Sequence, residues 1–281
     1  MMNRWLKGVA IAALTALGTV AAQAADLPTR KEAPAPVFVP PPFTWTGFYA
    51  GVNAGAIIRS GSSNNFSIFD PNAGIDGNFI ANSLLGGSGG GRTGFIGGGQ
   101  AGYNWQTGAF VLGVETDFDG TTLSRSFNNV GTPFAGAGVP AILQGDFLSV
   151  NGKASLSWLG TTRGRVGYVV TPDNRLMIYA TGGVAYGGGS SNFSVFDSTT
   201  GSFFTGNPSS TRVGWTIGGG VEYALTNNVT IRGEYLYADL GSTTFNTVGN
   251  AAAATFFPGV VASGKFSYNA SIARAAINYK F

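Results

Sequence analysis

Between Arg212 and Leu240 the chain alternates with a period of two. Val213, Trp215, Ile217, Val221, Tyr223 and Leu225 interleave with Arg212, Gly214, Thr216, Gly218, Gly220 and Glu222. After Thr226-Asn227-Asn228, Val229, Ile231, Tyr235 and Tyr237 interleave with Thr230, Arg232, Glu234 and Ala238. Successive side chains of a strand point to opposite sides, so one face carries aromatic and branched residues and the other the charges. The three residues between the runs tolerate left-handed backbone and predict an antiparallel hairpin.

The pattern recurs. Eight strands are predicted, over 45–58, 94–105, 109–119, 155–170, 175–187, 212–225, 229–240 and 265–281. Their connections alternate strictly. Gln106–Gly108, Thr171–Asn174 and Thr226–Asn228 are tight turns, whereas 59–93, 120–154, 188–211 and 241–264 are long and rich in Gly, Ser, Asn and Thr. Only 10% of the 281 residues are charged, against about a quarter in a soluble domain. Past residue 24 no apolar run nears the ~20 residues of a spanning helix. An even number of strands, short turns at one end and long loops at the other describe an all-β, eight-stranded antiparallel up-and-down transmembrane β-barrel over residues 44–281. Both termini and the short turns then lie in the periplasm, and four long loops are extracellular.

Aromatic spacing agrees. Phe95 precedes Tyr103 and Trp105, Phe110 precedes Phe118, Trp158 precedes Tyr168 and Trp215 precedes Tyr223, always with matched parity and eight to ten positions apart. At ~3.3 Å per residue and ~40° tilt this spans roughly 20–25 Å, the height of the lipid-facing band between two aromatic girdles. Tyr235 and Tyr279 join the same expected girdles. The opposite parity carries Gln100, Asn104, Glu115, Asp117, Arg163, Arg165, Arg212, Glu222, Arg232, Glu234 and Arg274. An eight-stranded lumen is just wide enough for side chains to fill. Charges there require partners, so a lumenal network is expected in which the arginines meet Glu115, Asp117, Glu222 and Glu234. A polar solute path is the competing reading. Interior glycines such as Gly97–Gly99 and Gly218–Gly220 fit the curvature of a small barrel.

Residues 1–24 have the parts of a secretory signal: Arg4 and Lys7, an apolar stretch over 8–22, and a small-x-small site that predicts cleavage between Ala24 and Ala25. Residues 25–43, with six prolines, read as a periplasmic leader. The formal charge is +3; removal of Arg4 and Lys7 leaves 14 basic against 13 acidic residues, a net +1. That balance gives no case for nucleic acid as a partner. The chain has neither Cys nor His, which removes disulfides, thiolate sites, His-based triads and the usual haem and zinc ligands. Gly89-x-Gly91-x-x-Gly94 matches the dinucleotide fingerprint by letter but precedes a strand instead of opening a helix. Glu115 and Asp117 read as lumenal partners, not as acid and base. No catalytic, metal or cofactor site is expected.

Three segments recur at offsets between 118 and 127: Asn65–Asp70 with Asn192–Asp197, Phe127–Gly131 with Phe245–Gly249, and Ile96–Gly99 with Ile217–Gly220. Duplicated halves and convergence both account for them. The Asn-Phe-Ser-[Ile/Val]-Phe-Asp segments are expected to extend the first and fifth strands beyond the membrane.

Phe43-Thr-Trp-Thr-Gly-Phe-Tyr-Ala-Gly-Val-Asn-Ala-Gly55, following Ala-Ala-Asp-Leu-Pro28, resembles the entry of the small outer-membrane barrels of alphaproteobacteria known as outer-membrane immunogenic or porin-family proteins. Ala275-Ala-Ile-Asn-Tyr-Lys-Phe281 resembles the closing strand that the outer-membrane assembly machinery reads, with Tyr279 and Phe281 as its signal residues. The resemblance implies an OmpA-type barrel in the bacterial outer membrane, with lipid, lipopolysaccharide and the assembly machinery as partners. The expected role is structural, with antigenic loops at the surface. A small-solute pore and a ligand-, haem- or host-binding rim using Phe66, Phe193, Phe203 and Phe204 remain the alternatives. An enzyme would need a nucleophile and a base at the outer rim, and no imidazole exists to serve.

Overall fold

The structure, a computed structural model, describes residues 42–60, 65–69, 93–130, 148–207 and 209–281. The expected signal, its expected Ala24–Ala25 cleavage site, the expected leader through residue 41 and the middles of the first two long connections lie outside the described residues. In chain order the strands are β1 (Gly47–Arg59), β2 (Asn65–Phe69), β3 (Thr93–Thr107), β4 (Phe110–Thr121), β5 (Ser124–Val130), β6 (Leu148–Ser155), β7 (Trp158–Val169), β8 (Leu176–Asp197), β9 (Phe203–Gly206), β10 (Ser209–Ala224), β11 (Val229–Asn246), β12 (Val248–Gly249) and β13 (Val261–Lys280). Among the described residues one short helix, α1, covers Ala251–Phe256 and is capped by the Asn250 side chain.

Eight of these strands close a barrel in the order β10-β11-β13-β1-β3-β4-β7-β8, and β8 pairs back onto β10. Every neighbouring pair is antiparallel. Closure satisfies every ladder position, which is what lets a sheet sit in hydrocarbon where no water can bond an open edge. The tight turns fall where the sequence puts them. Gly108 and Asn174 adopt left-handed backbone, each with φ +59°. The third turn is built differently from expectation: none of Thr226, Asn227 and Asn228 is left-handed. Instead the Thr226 hydroxyl accepts the N–H groups of Asn228 (3.2 Å) and Val229 (2.9 Å), the local side-chain capping that Thr can supply.

Much of what reads as long loop is strand. β8 continues to Asp197 and carries the β5–β6 hairpin on one side and β9 on the other. β2 pairs with the start of β13. The Asn65–Phe69 and Asn192–Phe196 segments are therefore strand, as their alternation implies. Their registers match: Asn192 stands opposite Lys153 and Asn65 opposite Lys265, while Phe127 faces Gly152 and Phe245 faces Gly264. These upper ladders repeat across the barrel. The Ile-Gly-Gly-Gly pair does not: Ile96 is 0% exposed inside the lumen and Ile217 is 57% exposed outside. Opposite orientation removes that pair from any two-fold relation.

Inward glycines have a more specific job than curvature. Gly55 stands opposite Arg274, Gly183 opposite Arg163, Gly98 opposite Asp119, Gly51 opposite Asn278 and Gly220 opposite Glu234. A Cβ on Gly55 would run into the Ala273 carbonyl and the Arg274 backbone. A long polar side chain thus has an empty position beside it, and eight strands can hold a charged layer without overpacking.

Candidate functional site

The lumen is a stack of three layers. At the periplasmic end Phe43, Trp45, Val111, Val169, Met177, Tyr179 and Ala224 pack together. Phe43, read from sequence as the last leader residue, thus belongs to the barrel interior, and β1 starts only at Gly47. Trp45 is 1% exposed and its indole N–H donates to the Asn174 carbonyl (2.8 Å), while its backbone N–H donates to Gln106 Oε1 (2.8 Å). The Phe43 ring lies between the Lys280 ammonium (4.9 Å) and the Arg175 guanidinium (6.0 Å), a cation–π arrangement that favours this seating. In the turn before β8, the Asp173 carboxyl is held below the usual carboxylate range by the Thr171 hydroxyl and the Arg175 N–H.

Above this plug lies the charged layer. Arg163 reaches Glu115 (2.5 Å), Asp117 (2.9 Å) and Glu234 (3.2 Å). Arg274 reaches Asp117, Asp119 and Glu234, each at 2.7 Å. Arg165 meets Glu222 at 2.7 Å and Arg232 meets Glu115 at 2.5 Å. Tyr49 donates to Glu115 (2.6 Å), Tyr179 to Glu234 (2.8 Å), Thr161 to Asp117 (2.8 Å) and Thr230 to Glu222 (2.6 Å). Arg165 also stacks 4.1 Å over the Tyr179 ring. Within the same layer, Asn53 donates to Gln100 (3.2 Å), Gln100 to Asn278 (2.5 Å) and Asn278 to Glu222 (2.9 Å). All of these side chains are buried. Charges removed from water persist only when paired and hydrogen-bonded to this degree.

The third layer is apolar again. Ile57, Ile96, Leu123, Leu156, Leu159, Leu236, Leu240 and Ile272 close the outer end, with Tyr268 against them. A void of about 30 Å³ remains there, room for a water or two.

The inward set expected from parity is present, with one correction and several omissions. Glu115, Asp117, Arg163, Arg165, Glu222, Arg232, Glu234 and Arg274 meet in one layer. Arg212 does not join it. Its parity is inward, but it lies near the outer end of β10, where it donates to the Thr243 hydroxyl and stacks 3.9 Å over Tyr268. Alternation gives a face and not a height. Tyr49, Tyr179 and Asp119 complete the network without having been singled out. Asp119 shares the parity of Glu115 and Asp117, and that signal was in the sequence. Tyr49 and Tyr179 were masked by the expectation that barrel aromatics face lipid.

On the outside, Phe95, Tyr103, Trp105, Phe110, Phe118, Tyr168, Trp215, Tyr223, Tyr235 and Tyr279 are exposed, and Trp158 is half-buried between Phe118 and Tyr186. Their rings form two tiers. Phe48–Tyr103 (4.7 Å), Phe110–Tyr168 (5.4 Å) and Tyr279–Phe281 (5.3 Å) sit at the short-turn end. Phe118–Trp158 (5.4 Å) and Trp215–Tyr237 (5.6 Å) sit at the other. Of the rim aromatics offered for ligand contact, Phe193 and Phe204 are buried beneath the upper ladders and cannot serve. Phe203 is exposed, and the Phe66 side chain lies outside the described residues.

A family model described as "Outer membrane protein beta-barrel domain" matches residues 10–281. The chain is 38% identical over 280 residues, 98% of its length and all of the relative's, to the 31 kDa outer-membrane immunogenic protein of Brucella melitensis. It is 36% identical over 148 residues, about half of each chain (52% and 53%), to the 22 kDa outer membrane protein of Rhizobium leguminosarum bv. viciae. Among solved structures it is similar to OprG of Pseudomonas aeruginosa, with TM-score 0.47 and 14% identity over 85% of this chain and 98% of that one. A closed antiparallel barrel, greasy outside and ionic within, and a family-model match over residues 10–281 lead to one conclusion: the chain belongs to the outer membrane protein β-barrel family and resides in the bacterial outer membrane.

Proposed function

We propose that the protein is a non-conducting structural component of the outer membrane that stiffens the envelope and holds its extracellular ladders at the surface, where they are antigenic. The observation that carries this reading is the sealed lumen: an ionic layer pinned between two apolar plugs. A solute would have to displace paired arginines and leave their carboxylates unpaired in a medium where that costs several kcal/mol. A porin path needs an open aqueous bore, which larger barrels have and small ones fill. Non-enzymatic character belongs to the same reading: the buried carboxylates are tied to arginines and face no cleft. Outer-membrane lipid and lipopolysaccharide surround the barrel, and the assembly machinery engages the closing strand through Tyr279 and Phe281, both exposed at its end. The aromatic tiers mark the two edges of the hydrocarbon.

The test is electrical. Purified barrel in planar bilayers is expected to show no stable ohmic steps. Reproducible channels of uniform size, insensitive to removal of contaminating porins, overturn the sealed-lumen reading in favour of a pore.

A further inference from the structure

Beyond the outer aromatic tier the wall of the barrel continues upward as paired strands, and its two faces differ. Inward, Val150, Ala154, Phe193, Val195 and Phe204 are buried. Outward, Ser126, Lys153 and Asn192 stand directly abreast on β5, β6 and β8, and all three are exposed. The next rung places Asn151, Ser194 and Thr205 abreast. With Phe203, these residues line a cleft of about 440 Å³. On the far side of the barrel Thr244, Lys265 and Asn65 stand abreast on β11, β13 and β2. Hydroxyl and lysine again stand side by side. Lys153 and Lys265 are exposed, and neither makes an ion pair among the described residues. Asp239, on the outward side of β11 near Tyr237, is turned to the Gly241 N–H (2.8 Å).

Height decides what these rungs can meet. Asn192 follows Tyr186 by six positions on the same face of β8. At ~3.3 Å per residue and ~40° tilt the rung stands roughly 15 Å above the tier that marks the hydrocarbon edge. That is the level of lipid headgroups and their sugars, not of acyl chains. Amides and hydroxyls in register suit sugar hydroxyls, an exposed aromatic ring suits the apolar face of a pyranose, and a lone ammonium suits a phosphate or carboxylate. We propose that the Ser126–Lys153–Asn192 rung and the Thr244–Lys265 rung are two docking positions for the anionic saccharide headgroups of outer-leaflet lipopolysaccharide, on opposite sides of one barrel. The proposal rests on the reading of the protein as a barrel embedded in lipopolysaccharide.

The experiment uses the full mature barrel refolded in phosphatidylcholine bilayers. Affinity is measured for lipopolysaccharide with a phosphorylated inner core, for the same material dephosphorylated, and for phosphatidylglycerol. Lys153→Gln and Lys265→Gln are each expected to weaken phosphorylated lipopolysaccharide about fivefold, and the double variant multiplicatively. Lys→Arg at both positions retains binding. Dephosphorylated material is expected to bind wild type no better than the double glutamine variant binds the phosphorylated form. Heat-modifiable gel mobility checks that every variant is folded. Equal binding by wild type and the double variant overturns the assignment of the rungs. Equal competition by phosphatidylglycerol overturns the saccharide part and leaves a generic anionic surface. Failure of wild type itself to bind lipopolysaccharide overturns the partner reading on which the proposal stands, a result distinct from the other two.

Discussion

At the scale of single residues, the lumen works because large and absent side chains alternate across the strand pairs. Gly183 shows this most directly. It faces Arg163, and a Cβ there would meet the Thr162 carbonyl and the Arg163 backbone. Gly183→Ala is expected to destabilise the barrel by about 1–3 kcal/mol through overpacking, measured by urea unfolding in lipid vesicles. An unchanged midpoint would mean the interior has slack that its packing does not suggest. How far such detail could be read from sequence differs by residue. Glu115, Asp117, Arg163 and Glu234 were legible because parity alone decides whether a strand residue faces in or out. Arg212 was misplaced because its partners depend on height in the barrel, which the spacing of charges does not encode. Tyr49 and Tyr179 were passed over because their rings obey inward parity while their residue type suggests the outer face. Only the three-dimensional proximity of Glu115 and Glu234 reveals what their hydroxyls do.

At the scale of elements, the segment before β1 behaves as a stopper. Phe43 and Trp45 enter the periplasmic mouth from a stretch that reads as an extended leader, and the contacts that hold them come from far along the chain: Gln106, Asn174, Arg175 and Lys280. No local pattern predicts that. Trp45→Ala removes the indole and its hydrogen bond to Asn174, and a loss of roughly 3–5 kcal/mol is expected from denaturant unfolding followed by the remaining tryptophans. The same variant is expected to stay electrically silent, because the ionic layer and the outer apolar layer remain. Channel openings in it would show that the stopper, not the ionic layer, is the seal. The extracellular ladders illustrate the opposite case. Asn65–Phe69 and Asn192–Phe196 were legible as strand from their alternation, whereas the β5–β6 hairpin and the start of β13 lie in Gly-, Ser- and Asn-rich sequence whose polar outward face hides the period.

At the scale of the whole molecule, the fold class was written in the alternation of short and long connections, because a barrel threaded through a membrane has two chemically different ends. What was not written is how its halves depend on each other. Arg274 sits on β13, the last strand of the chain, yet its partners Asp117 and Asp119 sit on β4, three strands away across the lumen. Arg274→Leu strips Asp119 of its cation and leaves Asp117 and Glu234 their ion pairs with Arg163 alone, a deficit of about 3–5 kcal/mol. It is expected to slow the appearance of the heat-resistant folded band during vesicle refolding, with unchanged kinetics as the result that counts against it. The placement of that arginine also bears on how such a protein can be made. An unfinished sheet lacking its final strand would offer bare acidic groups to the interior of the bilayer. The closing seam therefore carries its own electrostatic checkpoint: five carboxylates face three arginines until the end of the polypeptide zips onto its beginning and supplies the fourth, so a truncated chain is chemically marked as incomplete.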